Sequence, residues 1–253
     1  MAAVGRLALV ANAFHIIREP HVGDTIRIKT ADGDFAAYVA RPGKAKAPAV
    51  VVIQEIFGVN QVMRETADEL AAAGYLAICP DLFWRIEPGV DITDKTEAEW
   101  KKAFALMNAF DGDKGVADIA ATLDHIRKDP GCTGKVGAVG FCLGGQLAYL
   151  TAARTDADAS VAYYGVGIEK LLGEAEKLAR PLMMHIAEED QFVPKPAQAL
   201  IIGALKNHPH ITIHSYPGCD HAFARHGGEH YDEAAAKLAA GRTLAFFQQH
   251  LGA

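Results

Sequence analysis

A cysteine sits between glycines in Gly140-Phe141-Cys142-Leu143-Gly144-Gly145, where the apolar run 135–139 gives way to the helix-forming run 146–150. A strand meeting a helix at Gly-x-Cys-x-Gly is the pattern of a nucleophile elbow, with a thiol in the usual place of a hydroxyl. The flanking glycines let the backbone turn sharply, because larger side chains two places away would collide across the turn. The helix N-terminus that follows favours negative charge, so it stabilises a thiolate or an oxyanion. Taken alone, the six residues also fit a buried, inert cysteine in a glycine-rich turn.

Nucleophilic catalysis by a thiol needs a nearby base or cation, an acid to orient that base, and donors for an oxyanion. His221, in Pro217-Gly218-Cys219-Asp220-His221, follows the run 211–216. Asp190 follows the run 181–187 beside Glu188 and Glu189, either of which offers the same carboxylate. Asp190 is preferred because its short side chain precedes the Phe192-Val193-Pro194 turn, where it can reach inward. Glu55 comes directly after the apolar run 49–53 and is either solvated at a strand end or turned toward the site. The backbone N–H groups of Ile56 and Leu143 are candidates for the oxyanion hole. Along the chain the order is nucleophile, acid, histidine, each just past a strand, where open α/β sheets place their ligands.

Those placements require a sheet whose strands end at one edge. Short apolar runs alternate with longer amphipathic segments, which implies βαβ units and a mostly parallel sheet flanked by helices on both faces. Runs 26–29 and 35–39, split by Asp32-Gly33, alternate at period two and form a hairpin. Strands follow at 49–53, 75–78, 135–139, 160–164, 181–187 and 211–216. Helices are expected at 61–73 (closed by Gly74), 97–109, 116–128 and 198–207, with a polar helix at 168–179 and a long closing helix at 231–250. No repeat or linker interrupts the pattern, so 1–253 reads as one domain, with 1–22 as an N-terminal extension.

The chain has 253 residues and a net charge of −6, with no Lys/Arg run, which argues against a nucleic-acid or anionic-membrane surface. Its four cysteines, Cys79, Cys132, Cys142 and Cys219, show no CxxC spacing and no Cys/His cluster of a zinc site. Free thiols in a reducing compartment, no metal and no cofactor are the expectation. Residues 7–13 resemble a signal-peptide core only faintly, and no apolar run is long enough to span a membrane. A cytoplasmic monomer or small homo-oligomer acting on a small molecule is the expected setting.

Five segments together resemble the dienelactone hydrolase (carboxymethylenebutenolidase) family of the α/β-hydrolase superfamily. They are Gln54-Glu55-Ile56-Phe57-Gly58-Val59-Asn60, Pro80-Asp81-Leu82-Phe83, the cysteine elbow, Asp190-Gln191-Phe192-Val193-Pro194 and Pro217-Gly218-Cys219-Asp220-His221-Ala222-Phe223. The resemblance runs from about residue 26 onward. It implies a Cys142–His221–Asp190 triad, with Glu55 interacting with the resting thiol and taking its proton once substrate binds. It also implies that Arg85 and Arg225 hold the carboxylate of dienelactone, which is hydrolysed to maleylacetate through an acyl-enzyme. Two features depart from the family. Ala222 stands where a serine is frequent, and the segment 86–95 diverges. Alternatives within this reading are a broader carboxylesterase or thioesterase on the same scaffold and a non-catalytic binding protein.

Overall fold

Period-two alternation in Asp24–Thr30 (β1) and Gly33–Ala40 (β2) leaves Ile28, Phe35, Ala37 and Val39 buried between exposed or half-buried residues, and the buried Ala40 ends β2. The two strands pair antiparallel around the turn at 31–32. These elements come from a computed structural model that describes residues 23–252, so the expected extension at 1–22 lies outside the described residues.

The remaining strands are β3 (Ala47–Ile53), β4 (Leu76–Pro80), β5 (Cys132–Phe141), β6 (Ala159–Tyr163), β7 (Leu182–Ala187) and β8 (Ile211–Tyr216). They join the hairpin in one eight-stranded sheet of order β1-β2-β4-β3-β5-β6-β7-β8. The pairing is parallel from β4 through β8, and only β1 and β2 run against their neighbours. Strands β3, β4, β6 and β7 are buried at every residue. Both of their faces are therefore covered, which explains runs of Val, Ile and Ala without polar alternation.

Among the described residues six α-helices cover the sheet: α1 (Gln61–Ala72), α2 (Glu97–Ala109), α3 (Gly112–Arg127), α4 (Leu143–Arg154), α5 (Lys195–Leu205) and α6 (Glu233–Leu251). Their starts are marked in the sequence. Asn60, Thr96, Asp111 and Asp232 each accept a backbone N–H of the first turn of α1, α2, α3 and α6 respectively. No described helix is long and apolar enough to cross a membrane.

The polar helix expected at 168–179 is instead two short 3₁₀ turns, Ile168–Lys170 and Leu172–Lys177. Leu171 between them leaves the helical region (φ −120°, ψ 13°). The Tyr149 hydroxyl on α4 donates to the carbonyl oxygens of Leu171 and Leu172, at 3.0 and 3.4 Å, which draws that backbone toward α4. Gly173 adds its own cost of about 1 kcal/mol to a continuous helix.

Because β3, β5, β7 and β8 are parallel, the loops that follow them lie along one edge of the sheet. Glu55, Cys142, Asp190 and His221 stand in those four loops.

Candidate active site

Cys142 occupies the junction of β5 and α4 with φ 57° and ψ −115°, a conformation that L residues rarely adopt. Its carbonyl oxygen accepts the N–H groups of Gly145 and Gln146 at 3.0 and 3.2 Å, and its own N–H donates to Tyr163 at 3.1 Å. The turn leaves no room for side chains beside it. A Cβ on Gly140 would strike the Gly144 carbonyl, and one on Gly144 would strike the carbonyls of Ile53 and Gln54. The strain therefore has a source in tight packing on both sides of Cys142.

The His221 Nδ1 atom lies 2.8 Å from the Asp190 carboxylate. The other Asp190 oxygen accepts the N–H groups of Phe192 and Val193 at 2.8 and 3.0 Å, so the acid is fixed by its own turn. Glu188 is partly buried and Glu189 exposed, and the Glu189 carboxylate pairs with Lys195 at 3.0 Å. The reach of the short Asp190 side chain distinguishes it from its neighbours. The opposite ring nitrogen, Nε2, is buried and has no well-formed hydrogen bond, yet the Cys142 sulfur is close enough to couple to the ring. Burial alone would push the imidazole down. The Cys142 sulfur and the Asp190 carboxylate outweigh it and push the ring up to about 10. Tyr164 and Phe192 meet the ring edge-on, with centroids 5.0 and 4.8 Å away.

Glu55 is buried, and both its oxygens face Arg225, which donates from Nε at 2.7 Å and from Nη2 at 3.0 Å. The resemblance placed this carboxylate against the resting thiol, but here the guanidinium holds it. Arg225 also donates from Nη1 to Asp94 at 2.8 Å and lies over the Phe57 ring, 5.0 Å from its centroid. Burial works against the guanidinium charge, but Glu55, then Tyr164 and Cys142, push it up. One cation thus serves two carboxylates and sits within electrostatic reach of the sulfur.

A cavity of about 300 Å³ opens over Cys142, His221 and Arg225. One wall is apolar, built from Phe57, Trp100, Phe104 and Met107, and the other carries Gln146, Glu169 and Lys170. Ile56 also lines it. Among the described residues neither the Ile56 N–H, in the turn after β3, nor the Leu143 N–H, at the start of α4, donates to a protein acceptor. A second cavity of about 240 Å³ shares Trp100, Phe104, Phe192, His221 and Arg225 with the first.

Arg85, which the resemblance pairs with Arg225 on a substrate carboxylate, lines neither of these two cavities. It donates to Asp118 from Nε and Nη2 at 3.2 and 2.8 Å, and to Asp32 at 2.7 Å. Asp81 folds the 82–89 segment back by accepting the N–H groups of Phe83 and Gly89, and Trp84 adds an indole donor to Asp118. The arginine is drawn into that structural cluster. Ala222, at the position of the expected serine, adopts φ 62° and lines the second cavity. Two site residues had no sequence signal. Asp94 lies in the divergent 86–95 segment, and Tyr164 (φ 36°) ends the strand expected over 160–164.

The chain is similar to known proteins over most of its length. The family model described as "Dienelactone hydrolase family" matches residues 35–251. A protein of Azospirillum brasilense assigned by name to the carboxymethylenebutenolidases is 55% identical over 232 residues, covering 87% of this chain and 96% of its own. The carboxymethylenebutenolidase of Pseudomonas putida is 43% identical, covering 87% and 94%. A Klebsiella pneumoniae crystal structure assigned by name to dienelactone hydrolase superposes with a TM-score of 0.79 at 30% identity, covering 90% and 98%. The chain belongs to the dienelactone hydrolase family, and with it to the carboxylic ester hydrolases of the α/β-hydrolase fold.

Proposed function

We propose that this chain opens an enol-lactone ring, converting dienelactone to maleylacetate, through a Cys142 thiolate and an acyl-enzyme. The observation that carries this reading is the strained Cys142 at the floor of a cavity, coupled to a His221 that Asp190 holds through Nδ1. The name of the 43%-identical Pseudomonas putida relative supports the lactone substrate.

In this mechanism a substrate carboxylate competes for Arg225 and loosens its grip on Glu55. The freed Glu55 accepts the Cys142 thiol proton, and the thiolate attacks the lactone carbonyl. The N–H groups of Ile56 and Leu143 hold the oxyanion of the tetrahedral intermediate. Collapse breaks the ring C–O bond and leaves a thioester and an enolate, which takes the proton from Glu55. Acylation also removes the sulfur's negative charge, the largest influence raising His221. With that charge gone, burial holds the ring, which takes up no proton during acylation, in the neutral form that the next step needs as its base. His221 takes a proton from water, hydroxide attacks the thioester, and the departing thiolate recovers that proton from the imidazolium.

A second reading, a broader carboxylesterase, is favoured by the aromatic cavity wall and by the commitment of Arg225 to two protein carboxylates. Assaying cis- and trans-dienelactone beside neutral p-nitrophenyl esters separates the two. Cys142→Ala is expected to lower lactone hydrolysis by about 10⁴-fold or more, and full activity in that variant would sink the mechanism.

A further inference from the structure

Asp94 is tied to the site by its neighbours rather than left on a free loop. The Trp100 indole donates to its carbonyl at 3.0 Å. The residues before it are pinned to the loop after β3, with the Ile92 N–H on Phe57 at 3.2 Å and the Asn60 amide on the Ile92 carbonyl at 3.0 Å. Its carboxylate, nearly buried, receives Arg225 Nη1 at 2.8 Å and Lys95 Nζ at 3.2 Å. Burial would raise this carboxyl, but Arg225 and Lys95 together hold it below the usual range, so it is charged at neutral pH.

The two carboxylates on Arg225 differ in their relation to the substrate space. Glu55 makes two hydrogen bonds to the guanidinium and lines neither cavity. Asp94 makes one, and together with Arg225 and Glu229 it lines the second cavity. An anion approaching Arg225 through that cavity therefore meets the Asp94 carboxylate beside it. Like charge at that edge disfavours the anion unless Asp94 gives way.

We propose that Asp94 is a specificity-determining residue that competes with an anionic substrate for the Nη1 edge of Arg225 and sets the balance between carboxylated and neutral substrates. The proposal rests on the reading of Arg225 as the group that meets a substrate carboxylate. Its exchange with Asp94 precedes the release of Glu55.

The test compares kcat/KM for mono-p-nitrophenyl succinate, an anionic ester, with that for p-nitrophenyl butyrate, a neutral one. Asp94→Asn is expected to raise the anionic-to-neutral ratio about tenfold, through a lower KM for the anionic ester. Asp94→Glu, which keeps the charge, is expected to retain the parent ratio. A ratio within twofold of the parent in Asp94→Asn, or an equal loss on both esters, overturns the proposal. Lys95→Met gives an independent reading at an exposed position should Asp94→Asn fold poorly. It removes the cation that screens Asp94 and is expected to lower the ratio, and an unchanged or higher ratio counts against the proposal. Arg225→Gln separates this failure from that of the underlying reading. If it leaves the ratio intact, Arg225 does not meet the carboxylate, whatever Asp94 does.

Discussion

At the scale of single residues, the site is a contest among charges around one sulfur. His221 and Arg225 are both close enough to couple to Cys142, and Glu55 neutralises part of the second. Removing the Glu55 charge leaves Arg225 freer to stabilise a thiolate. Glu55→Gln is therefore expected to raise the rate of Cys142 alkylation by iodoacetamide at neutral pH severalfold. The same variant is expected to lose lactone hydrolysis, since it has no proton acceptor for the thiol. Peptide mapping of the alkylated protein assigns the rate to Cys142 rather than to Cys79 or Cys219, both of which burial pushes up. An unchanged alkylation rate would remove Glu55 from control of the thiol.

At the scale of elements, the loops after β3, β5, β7 and β8 carry Glu55, Cys142, Asp190 and His221, and the loop after β4 supplies a strut. Arg85 ties that loop to α3 through Asp118 and to the β1–β2 turn through Asp32. Asp118 is buried, so removal of its cationic partner leaves a poorly compensated charge. Arg85→Ala is expected to destabilise the chain by about 2–3 kcal/mol in urea unfolding. Its anionic-to-neutral kcat/KM ratio is expected to match the parent. A selective loss on the anionic ester would instead restore Arg85 as a carboxylate clamp. The 3₁₀ turns after β6 matter in the same way, because Glu169 and Lys170 of the first turn form the polar wall of the cavity.

At the scale of the whole molecule, a buried polar chain braces the sheet behind the site. His185 on β7 bonds the Tyr216 hydroxyl on β8 at 2.7 Å and the Thr243 hydroxyl on α6 at 3.0 Å, and Thr243 continues to Tyr163 on β6 at 2.6 Å. Burial, then His214 and Arg242, hold the His185 imidazole well below its ordinary value, so it is neutral in the folded chain. The unfolded chain binds a proton there below pH ~6.5, while the folded chain does not. This contribution to stability is therefore complete above that pH and is lost as the pH falls below it. His185→Gln is expected to cost about 1–3 kcal/mol at pH 7.5, and the gap between variant and parent is expected to narrow by pH 5. Thermal unfolding across that range checks both, and a gap that stays constant would show that His185 does not titrate on unfolding.

Much of this protein was legible in residue types and order. Apolar runs without alternation marked strands covered on both faces, and the cysteine, aspartate and histidine each stood just past one of them. Parallel pairing then brings such positions to one edge, because every strand end points the same way. What only the tertiary structure decided was which charges meet. Arg225 and Glu55 are 170 positions apart, and Arg225 and Asp94 are 131 apart. No local periodicity records such a pairing. Arg85 and Arg225 looked equivalent as residues near site loops, yet a buried Asp118 claims one and the cavity receives the other. The elbow sequence specified a cysteine at a strand-to-helix turn, but the charges that surround it depend on side chains that only folding brings into contact.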